Sequence, residues 1–276
     1  MTKLERLPDG TVKITITIPE EKIKKAHEEA VADLVKQASV AGFRKGKAPG
    51  KLVEEKLNKE QVREEILKKL LPQAYSLAVQ EHNLKPIMNP KLHVEKIEEG
   101  QDWVITTLTC ELPDVTLGDY KKNVQKLTAK SKIILPGKEE EQKKPAMEKI
   151  VKAVLESTKV KVPGILLEQE TDRLLSQLLN DIKKLGLSLD QYLASTKRTP
   201  DDLRAEYSKR AEEDIKLEFV LQKIAEEEKI TVSANEIDEA IQKAKDPGEK
   251  QNLEANKYLL AGILRQQKTL DFLVNL

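Results

Sequence analysis

The clearest pattern in the chain is TVKITITIP, in which Val12, Ile14, Ile16 and Ile18 alternate with Thr and Lys until Pro19 ends the run. Period-two alternation predicts a half-buried strand, introduced by the turn signal Pro8-Asp9-Gly10. From Glu20 the period becomes helical, and Ile23, Ala26, His27, Ala30, Val31, Leu34, Val35 and Ala38 fall on one face. That helix is expected to stop near Ser39, where a glycine-rich stretch begins. Leu52, Val53 and Leu57 suggest a second helix after Pro49. Val62, Ile66, Leu70, Ala74, Leu77 and Ala78 suggest a third over about 60–81, with Pro72 as an internal kink or break. After the loop HNLKPIMNP, the runs LHVEKI and WVITTLTCEL read as a hairpin joined by Glu99-Gly100-Gln101-Asp102. Residues 1–112 therefore make an α+β unit: an early strand, three helices and a late hairpin able to pair with that strand.

Pro113 opens a change of character. Residues 113–144 are rich in Lys, Glu and Gly, with one short apolar run at Ile133-Ile134-Leu135, and read as a linker with room for a short strand. Residues 145–276 read as all-α. Met147, Ile150, Val151, Val154 and Leu155 mark one helix, and the row from Leu167 to Leu185 marks a longer one ending at Gly186. Thr199-Pro200-Asp201-Asp202 is a strong helix start, and Ser233-Ala234-Asn235-Glu236 has capping-box spacing. Asp246-Pro247-Gly248 breaks the next helix, and a last one is expected to carry Leu253, Tyr258, Leu259, Ile263, Leu264, Leu270, Phe272 and Leu273.

Composition changes this picture in two ways. The 276 residues carry 48 basic and 47 acidic side chains, so the net charge of +1 gives no whole-chain pull toward nucleic acid or membrane. The charge is nevertheless uneven: residues 34–53 hold five bases and no acid, whereas residues 200–240 hold 13 acids against six bases. Aromatics are only 3% of the chain, which suits helices with aliphatic seams. The start MTKLERLPDGT has no apolar core of a signal peptide, and no window approaches the roughly 20 apolar residues of a membrane span, so a soluble cytoplasmic protein is expected.

Chemistry for catalysis is hard to find. Cys110 lies in the strand pattern and reads as a buried structural thiol. His27, His82 and His93 have no partners at metal-ligand spacing, and no cofactor or metal site is expected. The runs Glu139-Glu140-Glu141 and Glu226-Glu227-Glu228 read as solvated faces. The basic stretch GFRKGKAPG fails as a phosphate loop: its glycines are too close, Ala48 stands where a hydroxyl belongs, and it joins two helices. Its glycines and proline instead shape a tip that displays Phe43, Arg44, Lys45 and Lys47 for protein or RNA contact, unless Phe43 simply plugs the local core.

Gly42-Phe43-Arg44-Lys45-Gly46-Lys47-Ala48-Pro49 closely resembles the ribosome-docking motif of the trigger factor family of bacterial chaperones, in the same order of strand, helix, loop, helices and hairpin. Lys161-Val162-Pro163 with Leu166, Leu167 and Glu168, and the acidic leucine-rich helices that follow, resemble the family's helical substrate-binding domain. The resemblance implies an ATP-independent chaperone that shields nascent or unfolded chains in a helical cradle with arm-like helices. It implies that Phe43, Arg44 and Lys45 meet the ribosomal exit protein and adjacent RNA, that Gly42, Gly46 and Pro49 shape the loop, and that Lys47 adds charge. It implies no DNA or membrane partner, and it allows a weak dimer.

Usual family members carry a prolyl isomerase domain between these regions. Here only residues 114–144 lie between Pro113 and Pro145, and no Phe, Trp or Tyr occurs between Tyr120 and Tyr192. An aromatic-lined isomerase pocket is therefore not expected. The alternatives are a degenerate isomerase of the trigger factor type and a ribosome or assembly-factor binder without chaperone activity.

Overall fold

The alternation at residues 12–18 resolves into one of the two inner strands of a four-stranded antiparallel sheet. The computed structural model describes residues 2–37, 59–98, 100–132, 147–244 and 246–276. Backbone contacts divide the chain into two units, one made of residues 1–112 with Gly164–Leu166, the other of residues 113–163 and 167–276.

In the first unit the strands are β1 (Thr2–Arg6), β2 (Thr11–Ile18), β3 (Lys91–Lys96) and β4 (Trp103–Cys110), in the order β1-β2-β4-β3. The sheet thus has an additional strand, β1, paired through the register Leu4↔Ile14. TKLER offers only one apolar residue, too few for a period, and it becomes a strand because the tight turn returns it alongside β2. Gly10 takes φ 87, a conformation that spares glycine a side-chain clash, and donates to the Leu7 carbonyl at 3.0 Å. The Asp9 carboxylate accepts from the Thr11 backbone N–H at 3.0 Å and from the Thr11 hydroxyl at 2.9 Å.

Register sets the core. Ile14 faces Thr107, Ile16 faces Ile105 and Ile18 faces Trp103, so these side chains share one sheet face and are buried there. Helices α1 (Glu20–Gln37) and α2 (Lys59–Glu81) supply Ile23, Ala26, Ala30, Val62, Ile66 and Ala78 to the same core. Full burial of each large aliphatic side chain contributes roughly 1.5–3 kcal/mol. Pro72 lies inside α2 without ending it. Asn83 then closes the helix with φ 51, and the Leu84 N–H reaches back to the Val79 carbonyl at 2.9 Å.

The second unit is mainly helical: α3 (Tyr120–Lys132), α4 (Met147–Ser157), α5 (Gly164–Lys184, from Leu167 onward), α6 (Leu189–Thr196), α7 (Pro200–Glu227), α8 (Ala234–Lys243), α9 (Pro247–Ala255) and α10 (Lys257–Val274). Two short strands, β5 (Val115–Leu117) and β6 (Thr158–Val160), pair antiparallel. Its core brings together Tyr120, Val124, Ile150, Val154, Val220, Leu221, Ile224 and Leu273.

This arrangement changes the reading of residues 113–144. Their described part, through Lys132, holds β5 and α3 and sends Tyr120, Val124 and Thr128 into buried positions one turn apart. The Tyr120 hydroxyl donates to Glu228 at 3.1 Å, and Lys121 bridges the same carboxylate at 2.6 Å. Residues 133–144, with the apolar run Ile133-Ile134-Leu135, lie outside the described residues.

The expected helix starts at Thr199 and Ser233 are both capping boxes: Thr199 pairs with Asp202, and Ser233 with Glu236. Ser188 and Gln191 form a third, at the start of α6. Asp246-Pro247-Gly248 ends one helix and also begins another, because the Asp246 carboxylate accepts the Glu249 N–H at 2.9 Å. The expected last helix is consequently two, α9 and α10, divided at Asn256.

Candidate functional site

The displayed tip predicted at Gly42, Phe43, Arg44, Lys45, Gly46, Lys47 and Pro49 lies outside the described residues, as does the second helical pattern with Leu52, Val53 and Leu57. The helices from which it departs and to which it returns are described. They share the buried side chains Ala30, Val62 and Ile66, and one ionic cluster ties them near the end of α1. Lys69 Nζ on α2 lies 2.6 Å from Asp33 Oδ2 and 3.7 Å from Glu29 Oε2 on α1, and Lys36 donates to Asp33 at 3.2 Å. The hydrogen bond from Lys69 holds the Asp33 carboxyl below its ordinary range, and the same bond raises the Lys69 ammonium. Solvent screens these charges, so the cluster chiefly orients the helices and adds little to stability.

A cavity of about 430 Å³ lies between α1, α2 and the β3–β4 turn, with Ile23, Val31, Val62, Ile66 and Trp103 on its apolar side. His27 lines its rim and is exposed, not packed among the apolar residues of α1 as its helical phase suggested. His93 is exposed on β3, and His82 sits 3.0 Å from the Thr2 hydroxyl. Cys110 is buried, which pushes its thiol up to about 11. Among the described residues no three His, Cys, Asp or Glu side chains are grouped to hold a metal ion. No described helix is long and apolar enough to cross a membrane.

Among the described residues of the second unit, exposed apolar side chains cluster at the α5–α6 turn and at the start of α10, apart from the separate Met147 and Leu179. Leu185, Leu187 and Leu189 surround the turn between α5 and α6, where Gly186 adopts φ 73 and the Leu187 N–H bonds the Ile182 carbonyl. On the first turns of α10, Tyr258 is 98% exposed, Leu259 66% and Ile263 53%. Tyr258 and Gly262 are four residues apart, as are Leu259 and Ile263, so the four line one helical face. A side-chain carbon placed on Gly262 would meet nothing within 4 Å. These residues are visible in the sequence as helix-face positions, yet periodicity does not say which face packs inward.

A family model described as bacterial trigger factor protein matches residues 1–144, and one described as the C-terminus of that protein matches residues 118–275. The chain belongs to the trigger factor family. The two matches overlap over 118–144, so they leave no residues between them. Trigger factors of Staphylococcus aureus strains JH9 and Newman are each 40% identical over 108 residues, which is 39% of this chain and 25% of theirs. The alignment therefore spans about a quarter of those relatives' length. A solved structure from work titled as promiscuous substrate recognition in folding and assembly activities of the trigger factor chaperone matches 99% of this chain and 99% of its own. Its TM-score is 0.64 at 15% identity, a likeness of fold. That likeness agrees with the α+β region followed by a helical region expected from the sequence.

Proposed function

We propose that this trigger factor family member is an ATP-independent chaperone that docks at the ribosomal tunnel exit and shields nascent or unfolded polypeptides against its helical region. The observation that carries this reading is the family match across both regions together with the motif at residues 42–49. In this reading Phe43, Arg44 and Lys45 contact the exit-site protein and adjacent ribosomal RNA, Gly42, Gly46 and Pro49 shape the loop, and Lys47 adds charge. The exposed residues Tyr258, Leu259 and Ile263, with the leucines around Gly186, supply surface for apolar client segments. Covering such surface contributes roughly 25 cal/mol per Å². Contacts of this kind are tolerant of shape and weak enough to release without a fuel.

The reading includes action in the cytoplasm and no peptidyl-prolyl isomerase activity. The overlapping family matches and the aromatic gap between Tyr120 and Tyr192 support the second point. Co-sedimentation with ribosomes tests the docking assignment. The combined variant Phe43→Ala, Arg44→Ala, Lys45→Ala is expected to lose binding, and binding by the parent is expected to weaken with salt. Undiminished binding by the variant would remove the assignment. Suppression of aggregation of unrelated unfolded proteins separates a chaperone from a binder dedicated to one folded partner.

A further inference from the structure

The cavity between α1, α2 and the β3–β4 turn has features that chaperone action leaves unused. Its inner side chains are hydrocarbon: Ile23, Val62, Ile66 and Trp103 are buried, and Val31 and Ile97 partly so. The indole N–H of Trp103 is already committed, since it donates to the Glu98 carbonyl at 3.2 Å. The mouth is braced as well. At the start of α1 the Glu20 backbone N–H donates to the Asp102 carboxylate of the β3–β4 turn at 2.9 Å. The volume of about 430 Å³ falls in the range of roughly 300–1,000 Å³ that small-molecule sites occupy.

Charge gathers at the rim. Glu20, Glu28 and Glu98 stand there with Lys24, Lys59 and Arg63, and His27 lies beside them. Lys24 binds Glu20 at 2.8 Å, and Glu98 lies 3.7 Å from Lys96. Arg63 differs from these. It is half-buried on α2, and among the described residues its guanidinium makes no ion pair or hydrogen bond. A half-buried guanidinium beside an apolar cavity offers a planar fork that matches a carboxylate.

We propose that this cavity binds an amphipathic monocarboxylate of the fatty-acyl type, its alkyl body against Trp103 and the aliphatic side chains of α1 and α2, its carboxylate on Arg63. The hydrocarbon interior selects the body. A peptide would bring an N–H and a C=O with every residue, and the inner side chains give those groups no partner, a cost that an alkyl chain avoids. The rim selects the head. Its three acids and three cations cancel with His27 neutral, so a dianionic phosphate would gain little net attraction, whereas a single carboxylate is matched by Arg63 alone. The site is separate from the motif at residues 42–49 and from the exposed face of α10.

Trp103 is the only tryptophan of the chain and lines the cavity, so its emission reports on the site directly. Octanoate, titrated into the whole chain below its micellar concentration, is expected to give a saturable change in that emission and a matching heat in calorimetry. Octanol keeps the body without the charge, and acetate keeps the head without the body. Each is expected to bind about tenfold more weakly or worse. Arg63→Gln is expected to weaken octanoate about tenfold or more while leaving octanol and the thermal melt unchanged. Val31→Phe, which fills part of the cavity, is expected to weaken octanoate and octanol alike. A parent that gives neither signal, octanoate binding undiminished in either folded variant, or octanol bound as tightly as octanoate would each overturn the assignment. Tighter binding at the same emission signal by a short apolar peptide with blocked termini would overturn it in favour of a peptide site.

Discussion

Replacing Tyr258, Leu259 and Ile263 together by Gln is expected to weaken client binding without weakening the fold. Tyr258 is 98% exposed, Leu259 66% and Ile263 53%, so little of their apolar surface stabilises the protein alone. Gln propagates a helix nearly as well as Leu, and exposed substitutions of this kind usually stay within about 0.5 kcal/mol each. A bound client could instead cover what is now exposed. Full coverage of a large apolar side chain contributes about 1.5–3 kcal/mol, and these three, discounted by the part already buried, offer roughly 4–6 kcal/mol in total. A client that covers half of this surface would lose about 2–3 kcal/mol on substitution, a factor of roughly 30–150 in affinity. Fluorescence anisotropy with a labelled unfolded polypeptide measures the affinity, and a thermal melt of the same sample checks the fold. An unchanged affinity with an unchanged melt would show that this face of α10 takes no part in client binding.

Three further outcomes follow from the buried and bonded groups. Ile224→Ala removes a fully buried side chain from the core of the second unit and is expected to cost about 2–5 kcal/mol in a denaturant titration, against far less for the exposed Leu259→Ala. Lys268, followed by the Ser233 backbone and hydroxyl, holds the Glu236 carboxyl down to about 2. A lowered folded-state value favours folding above the ordinary 4.5 and loses that contribution as the pH falls toward about 2, so Lys268→Met is expected to move the Glu236 titration upward in carboxyl NMR. Burial pushes the Cys110 thiol up to about 11, so alkylation near neutral pH should be slow in the native protein and fast in denaturant; rapid native labelling would contradict its burial.

Much of the first unit is legible in its sequence. TVKITITI alternates so regularly that one register alone buries Ile14, Ile16 and Ile18, and the hairpin of β3 and β4 follows from two runs around Gly100. Capping chemistry works as well, since Thr199 and Ser233 act within four residues of chain. The strands β1, β5 and β6 escape because TKLER, VTL and TKV are too short or too polar to show a period. Helix α3 escapes for a different reason: YKKNVQKLTAKSK is mostly polar, although Tyr120, Val124 and Thr128 recur every four residues and could have signalled it. The dividing point at Asn256 lies inside an otherwise helical composition, and the local chain conformation decides it.

For the candidate surfaces, the sequence by itself determined the motif at residues 42–49, the uneven distribution of charge and the family that the comparisons bear out. These depend on residue identity and order, which tertiary contacts do not alter. Only the tertiary structure decided that Leu260 is buried while its neighbours Leu259 and Tyr258 are exposed, and that Leu92 and Val94 share the core face yet stay uncovered. Hydrophobicity assigns a side chain a preference for burial, but the partner that removes it from water comes from elsewhere in the chain. At the edge of β3 and along the first turns of α10, the described residues supply too little covering to complete that burial.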